Sequence, residues 1–516
     1  MNFRFWLALS GLGLVTTAFA QTSPALIWVT NSSVKLEQII GDVDWEAKAQ
    51  GSNLLTVSQT ATRFHVYANG LGASFEDKGR LIFLFGDTIS ENVTNWNYHA
   101  ADPLAWSSNT DGEAGLRINF FTNNPITNVL TQFTPIFIQP AGINMDIDAV
   151  ANSGITLSNG TFLVCNTGSD ARVNPDNPHL GNYSVLVTVV ETNLNAVNPP
   201  DAASIFVTNR VISMLHTNLD PTNILQGHFI LTSLHEFGTN VLMFGTGEFR
   251  ASDIFLAVTP TANFVSGAGT LYFSGLTNGQ PTWSNAESNC VPVVQDNPTN
   301  GPPWPYDSPQ AGNVSVTYST NLNMWLMTYD GGVTPATSGI YFSSAAAPWG
   351  PWSTPQLIFN KKRDNGVRVF IHDASTNNPN DGLDGPTIGM NDPTNTAGGD
   401  FAPIMIERFT RITNSSLYIY YVMSTWNPYT VVKMRSQFTI MPVIDTSSLV
   451  HKKNRFILKW NAPTNMNYQV DYSSNLLSGW TTFTDIVNSS TGTFGYTNID
   501  TGGLPPSGFY RVRTSP

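Results

Sequence analysis

Stretches in which apolar side chains crowd together and then give way to small or polar residues return five times along this chain. They are Arg80-Leu-Ile-Phe-Leu-Phe-Gly-Asp-Thr88, Thr161-Phe-Leu-Val-Cys-Asn-Thr-Gly168, Val241-Leu-Met-Phe-Gly-Thr-Gly-Glu248, Met324-Trp-Leu-Met-Thr-Tyr-Asp-Gly-Gly332 and Leu417-Tyr-Ile-Tyr-Tyr-Val-Met-Ser-Thr425. Counted from Leu81, Thr161, Val241, Trp325 and Leu417, the steps are 80, 80, 84 and 92 residues. Each step has room for a four-stranded sheet and its loops, and five such sheets in a radial array make a five-bladed β-propeller.

The flanks of each run repeat one order of parts. A shorter strand and a tight turn precede it, such as Gly72-Ala-Ser-Phe75 with Asp77-Lys-Gly79, or Gly154-Ile-Thr-Leu157 with Asn159-Gly160; a loop and a third strand follow. Strand, turn, strand, loop, strand is a meander. After Ile444 the pattern changes to short period-two strands around Arg455-Phe-Ile-Leu-Lys-Trp460, Tyr468-Gln-Val-Asp-Tyr472 and Phe509-Tyr-Arg-Val-Arg513. The fold class expected is all-β: a five-bladed β-propeller over 21–444, then a small β-sandwich over 445–516 whose aromatics form its core, a glycan-stacking surface being the alternative, with almost no helix.

The first twenty residues differ. Arg4 supplies a positive start, Phe5 to Val15 an apolar stretch, and Ala18-Phe19-Ala20 a small-x-small site before Gln21. That is the form of a secretory signal peptide over 1–20, and its apolar run is shorter than the ~20 residues of a spanning helix. A secreted protein without membrane insertion is expected. Two cysteines, Cys165 and Cys290, are too few for a disulfide framework; strand-end burial accounts for Cys165, and a single long-range bridge stays open as an alternative.

Charged residues make up 12% of the chain, about half the usual ~25%, and the net charge of -12 leaves no basic patch for phosphates. Nucleic acid is therefore excluded as a partner class. The chemistry must come from carboxylates and neutral polar groups. In a propeller the start of each innermost strand and the end of the next meet on one face, which gathers Asn69, Asp87, Asp148, His228, Glu248, Asn313, Asp330 and Asp400 into one axial pit. Carboxylates crowded in a depression oppose folding unless a function or a cation holds them there.

Phe85-Gly-Asp-Thr88 aims Asp87 from a glycine turn into that pit, against the simpler reading of an Asx-turn. Gly245-Thr-Gly-Glu-Phe-Arg-Ala-Ser252 puts Glu248 beside it as a general acid, with Arg250 as a sugar contact or a group that lowers a carboxylate pKa; a surface ion pair is the bland alternative. Asp42-Val-Asp44-Trp45 adds Asp44 as a third candidate acid. Phe370-Ile-His-Asp373 opens a polar insert with Asp373, Asp381, Asp384 and Asp392, in which His372 is a sugar contact or cation ligand and the oxygens are chemically suited to a structural Ca²⁺; no cofactor is required. Trp96, Trp304, Trp349, Trp352 and Trp426 are platforms for sugar rings or ordinary packing.

Taken in order, Gly72-Ala-Ser-Phe with Gly79-Arg-Leu-Ile-Phe-Leu-Phe-Gly-Asp-Thr88, Gly245-Thr-Gly-Glu-Phe-Arg-Ala-Ser252, Ser315-Val-Thr-Tyr with Trp325-Leu-Met-Thr-Tyr329, and Ser424-Thr-Trp-Asn-Pro-Tyr-Thr-Val-Val432 resemble domain of unknown function 4185 over roughly Leu36 to Phe438. Its members include endo-D-arabinanases acting on mycobacterial arabinan, and the C-terminal strands resemble the fibronectin-like modules of exported bacterial enzymes. The resemblance implies a glycoside hydrolase acting on an arabinan-like polysaccharide, read here as inverting, with Asp87, Glu248 and Asp44 as candidate catalytic acids. Asn69, Arg250, Asn313, His372, Asp400, Trp426 and Asn427 are the expected substrate-binding residues. One departure matters. The family pattern has Thr-Asp before Leu-Gly where this chain reads Asn69-Gly70-Leu71-Gly72. Either Asp44, Asp148 or Asp400 takes the missing role, or the chain binds glycans without cleaving them.

Overall fold

The computed structural model describes residues 24–90, 102–122, 133–136, 138, 149–167, 183–195, 204–217, 220–224, 227–295, 310–332, 334–374, 381–383, 385, 397–413, 415–445, 449–452, 455–462, 466–473, 480–482, 484, 486–489, 492–498 and 509–515. The expected signal peptide, Trp96, Asp148, Trp304, Asp384 and Asp392 lie outside the described residues. The chain divides into two compact units, Leu26–Met441 and one holding Pro442–Pro516. The boundary falls a few residues before 444, because Val443–Ile444 pairs with Asn461 and Trp460 of the second unit.

Among the described residues of Leu26–Met441 the strands form five larger sheets. Sheet one orders Ala68–Asp77, Arg80–Ile89, Leu104–Ser107 and Asn119–Phe120; sheet two orders Ala149–Leu157, Gly160–Thr167, Tyr183–Val189 and Phe206–Met214. Sheet three runs from Leu231–Phe237 and Asn240–Thr246 through Phe255–Pro260 to two outer strands, and sheet four from Val314–Ser319 and Met324–Gly331 to Gly339–Ala345 and Gln356–Phe359. Sheet five joins Gly399–Met405, Ser416–Trp426 and Thr430–Met441, and is completed from the far end of the chain by Ala25–Trp28 and Val34–Gln38. Lys78 and Gly79 both take left-handed φ, at 48° and 83°, which is the hairpin geometry matched to strand twist. Among the described residues α-helix is confined to short pieces: Trp45–Ala49, Thr60–Phe64 and Glu191–Leu194.

The second strand of each sheet carries the apolar run because neighbouring sheets cover it on both faces; every residue of Met324–Gly331 is buried. Phe162 and Val164 of sheet two share a core with Val241 and Met243 of sheet three. Leu242 and Phe244 pack with Trp325 and Met327 of sheet four, Phe342 of sheet four lies 4.1 Å from Phe438 of sheet five between ring centroids, and Val422 of sheet five joins the core of sheets one and two. The first strands are laced side by side. Thr156 donates to Asp77 at 3.1 Å, Asn152 accepts from the Thr232 N–H at 3.0 Å, and the Val316 and Met405 N–H groups donate to Ser233 and Ser315. All five first strands line one cavity of about 170 Å³.

In the C-terminal unit, one sheet carries Arg455–Asn461 and Thr493–Asn498 and another carries Asn467–Ser473 and Phe509–Ser515. Trp460, Tyr468 and Phe494 are buried together, with Trp460 stacked on Phe494 at 5.7 Å, so these aromatics are core. Both cysteines are free, buried thiols, and no bridge joins them. Among the described residues no helix is long and apolar enough to cross a membrane.

Candidate functional site

Where the first strands begin and the second strands end, polar side chains from sheets three, four and five meet. Arg250, in the loop leaving Asn240–Thr246, donates from Nε to Asp330 Oδ2 at 2.9 Å and from Nη2 to the main-chain oxygen of Asp400 at 2.7 Å. Asp330 is fully buried, and its other oxygen accepts from the Asn313 N–H at 2.8 Å and the Ala402 N–H at 3.3 Å. A side chain on Gly312 would strike Asp330 Oδ2 at 2.4 Å, so the glycine keeps this carboxylate against the strand. Lys361 donates to the Gly398 oxygen and lies near Asp400.

Asp400 is 3% exposed and its Oδ2 has no hydrogen-bond partner. Burial pushes its carboxyl up to about 6, against the pull of Arg250 and Lys361 and with help from Asp330. A group that titrates near neutrality among fixed charges marks a candidate site.

Sheet one meets the turn of sheet five at Gly70. Gly70 has no positive φ, yet a Cβ there would lie 2.4 Å from the Tyr429 hydroxyl oxygen, so the side chain is missing because Tyr429 fills its place. Tyr429 is buried, meets Trp426 edge to face at 5.5 Å, and is kept protonated by burial and by the charges of Asp87 and Asp102. Asp87 is half-buried, with φ of 21°. Leu71, Arg250, Ala402 and Asn427 also hold positive φ, at 63°, 55°, 50° and 57°; strained residues of this kind gather at functional sites.

Several expected site residues have other duties. Asp44, expected as a third candidate acid, caps Trp45–Ala49 through the Glu46 and Ala47 N–H groups and pairs with Lys35 at 2.9 Å through both oxygens. His372, expected as a sugar contact or cation ligand, has a fully buried ring with Nδ1 2.7 Å from Asp381 Oδ1, and its main chain bonds to Asn427 and Gly398, so it pins the polar insert. Asp381 additionally accepts from the Asp373 and Leu383 N–H groups. Asn427 is buried in the same knot, and Asn313 acts through its main chain. His228 stacks on Phe255 at 3.9 Å, and burial lowers its pKa to about 4, so it is neutral at pH 7. Glu248 and Trp426 are half-buried. Among the described residues no group of three or more acidic, His or Cys side chains is arranged to hold a metal ion.

Sequence reasoning placed Asp330 in the pit but missed its pairing with Arg250, and it missed Lys361 and Tyr429 altogether. The Asn-Pro-Tyr turn at 427–429 was in view; nothing in the sequence says that Tyr429 reaches across to Gly70.

A family profile described as Domain of unknown function (DUF4185) matches residues 56–435. No curated protein matches. Among solved structures, a putative hydrolase from Bacteroides ovatus ATCC 8483 is 13% identical at a TM-score of 0.42, covering 72% of this chain and 85% of that one. A GH62 alpha-L-arabinofuranosidase catalytic domain from Coprinopsis cinerea is 12% identical at 0.36, covering 79% and 98%. An exo-1,5-alpha-L-arabinanase from a bovine ruminal metagenomic library is 8% identical at 0.34, covering 74% and 96%.

Proposed function

The chain belongs to the DUF4185 family, and from that membership and the acidic site we propose that it is a secreted glycoside hydrolase acting on a furanose-containing, arabinan-like polysaccharide. The five sheets are read as the blades of a propeller, supported by first strands that each bond or pack against the next and by a cavity lined from all five. Secretion rests on the signal-like residues 1–20.

The observation that carries the function is how exposure divides the carboxylates. Asp330 and Asp400 are sealed, whereas Asp87 and Glu248 are half-buried and can be reached. In this reading Glu248 gives its proton to the glycosidic oxygen as that bond breaks, and Asp87 takes a proton from the water that attacks the anomeric carbon from the opposite face. A water between the two carboxyl groups needs a separation of roughly 6.5–9.5 Å and inverts the anomer. Arg250 follows Glu248 by two residues; held by Asp330 and the Asp400 main chain, it fixes the loop that carries the acid.

Reducing-end release from arabinans, galactans and plant polysaccharides, with the product anomer read by NMR, tests the proposal. Release with inversion is expected, and no release from any substrate overturns it. A second reading, a non-catalytic carbohydrate-binding protein, is favoured by Gly70, where no carboxylate stands at the start of the first strand. Binding without release selects it.

A further inference from the structure

Away from the acidic site, the seam between sheets two and three holds a cation without a counter-charge. Arg210 lies on Phe206–Met214, an outer strand of sheet two, opposite Leu186, whose side chain packs into the core shared with sheet three. Its guanidinium reaches the loop after Phe255–Pro260. A Cβ on Gly267 would stand 2.8 Å from both Nε and Cζ, so the glycine, at φ of 72°, leaves the space that the flat group fills. That loop is braced: the Gly267 N–H donates to the Asn263 oxygen and the Thr270 hydroxyl to the Gly267 oxygen, each at 2.8 Å. Other half-buried arginines meet carboxylates, Arg80 with Asp77, Arg250 with Asp330 and Arg435 with Glu113. Half-buried Arg210 has no hydrogen bond or ion pair from its guanidinium among the described residues, and its Nε is sealed from solvent without a partner. A desolvated charge left unpaired opposes folding and needs an explanation.

Tyr272, on the neighbouring strand Leu271–Thr277, is half-buried beside this charge, and its hydroxyl is likewise unengaged among the described residues. Burial and the charge of Glu287 push the phenol up to about 12, so it keeps a proton to donate. Glu287 itself is occupied through Oε1, which accepts from the Ser213 hydroxyl at 2.6 Å and the His228 N–H at 2.7 Å. We propose that Arg210 and Tyr272 form a binding site for an oxyanion, the carboxylate or phosphate group of a small solute. The donors make the selection. A guanidinium has hydrogens to give and no acceptor, and the phenol adds one more hydrogen; an oxyanion brings acceptor oxygens and the missing negative charge. An ammonium is repelled, and a sugar hydroxyl leaves the guanidinium charge uncompensated. Because the chain as a whole carries a net charge of -12, anions gain nothing from its general field, and what holds them is contact at this corner.

The test uses the full chain at constant ionic strength in chloride, with inorganic phosphate, galacturonate and neutral galactose as probes in thermal melts and calorimetry. A ligand that binds only the folded chain raises the melting temperature with concentration, and at least one of the two anions should do so. Arg210→Gln should weaken that binding by about tenfold or more, and Tyr272→Phe, which leaves the charge in place, should weaken it in the same direction. An Arg210-dependent response to galacturonate identifies a sugar acid as a source of the oxyanion, and a response to phosphate alone identifies a free inorganic anion; either supports the site. No response to either anion overturns it. Unchanged anion binding in either variant overturns it too, and Tyr272→Phe keeps that comparison open where Arg210→Gln folds poorly. An Arg210-dependent response to galactose as large as that to galacturonate overturns the selection for charge.

Discussion

Replacing Asp400 by Asn should stabilise this protein above neutral pH. The carboxyl is buried with one oxygen unpartnered, and its pKa is pushed from 3.8 to about 6. Opposing attraction from Arg250 and Lys361 is already contained in that shift. A raised carboxyl pKa means that stability is fully present below the unfolded value and is lost as pH rises through the folded one. At 1.36 kcal/mol per unit, ionisation of Asp400 lowers the stability of the folded chain by about 3 kcal/mol at pH 8 and by about 1 kcal/mol at pH 4.5. Asn keeps the shape and cannot ionise. Urea unfolding of both proteins at pH 4.5, 6 and 8, followed on the transition of Leu26–Met441, should show the variant gaining about 2 kcal/mol on the wild type between the extremes. Parallel curves would show that Asp400 does not titrate in this window. A variant that loses ground as pH rises would mean that the ion pairs outweigh burial, and the account of this carboxylate would be wrong.

Other substitutions probe the rest of the site. Asp87→Asn and Glu248→Gln should each lower turnover by about 10² or more with little change in melting temperature, and retention of full activity in both refutes the assigned pair. Arg250→Met strips the partner from buried Asp330 and should destabilise by about 3–5 kcal/mol in chemical unfolding, where a loss below 1 kcal/mol would show the pair to be dispensable. Gly70→Ala drives a methyl into Tyr429 and should cost about 1–3 kcal/mol, relieved when Tyr429→Ala is added; no relief means that the clash lies elsewhere. Cys165 and Cys290, buried and with their thiol pKa values raised, should give no reaction with a thiol reagent in the native protein and two equivalents in denaturant.

The sheets were legible because each second strand is buried on both sides and so must be apolar along its length, which is a local demand that sequence displays directly. Leu81 to Phe85 and Trp325 to Tyr329 are cases of it. The site was legible in outline for a topological reason: strand starts and ends meet on one face whatever the side chains are. Its wiring was not. Asp44 lies two residues from Asp42 in an acidic motif, and only the helix that begins at Trp45 decides that it is a cap. The contact of His372 with Asp381, nine residues on, is made inside a polar insert that carries no periodic pattern to reveal it. Tyr429 acts across a sheet boundary, at a distance from Gly70 that no spacing rule encodes.

The pairing of Val34 with Arg435 joins the early chain to the last sheet. Until residues near 435 have been made and delivered, Val34–Gln38 has no partner strand, and that sheet stands with an open edge. Closure of so long a loop is slow, and the waiting strand is free to find a wrong edge in the meantime. Once made, the seam works as a latch: the start of this unit cannot peel away without unpairing its end. Trimming the chain up to Gln38 should therefore harm the acidic site, although none of the lost residues belongs to it, because sheet five carries Asp400 on a strand and Tyr429 in the turn that leads into Thr430–Met441, the strand the latch pairs with.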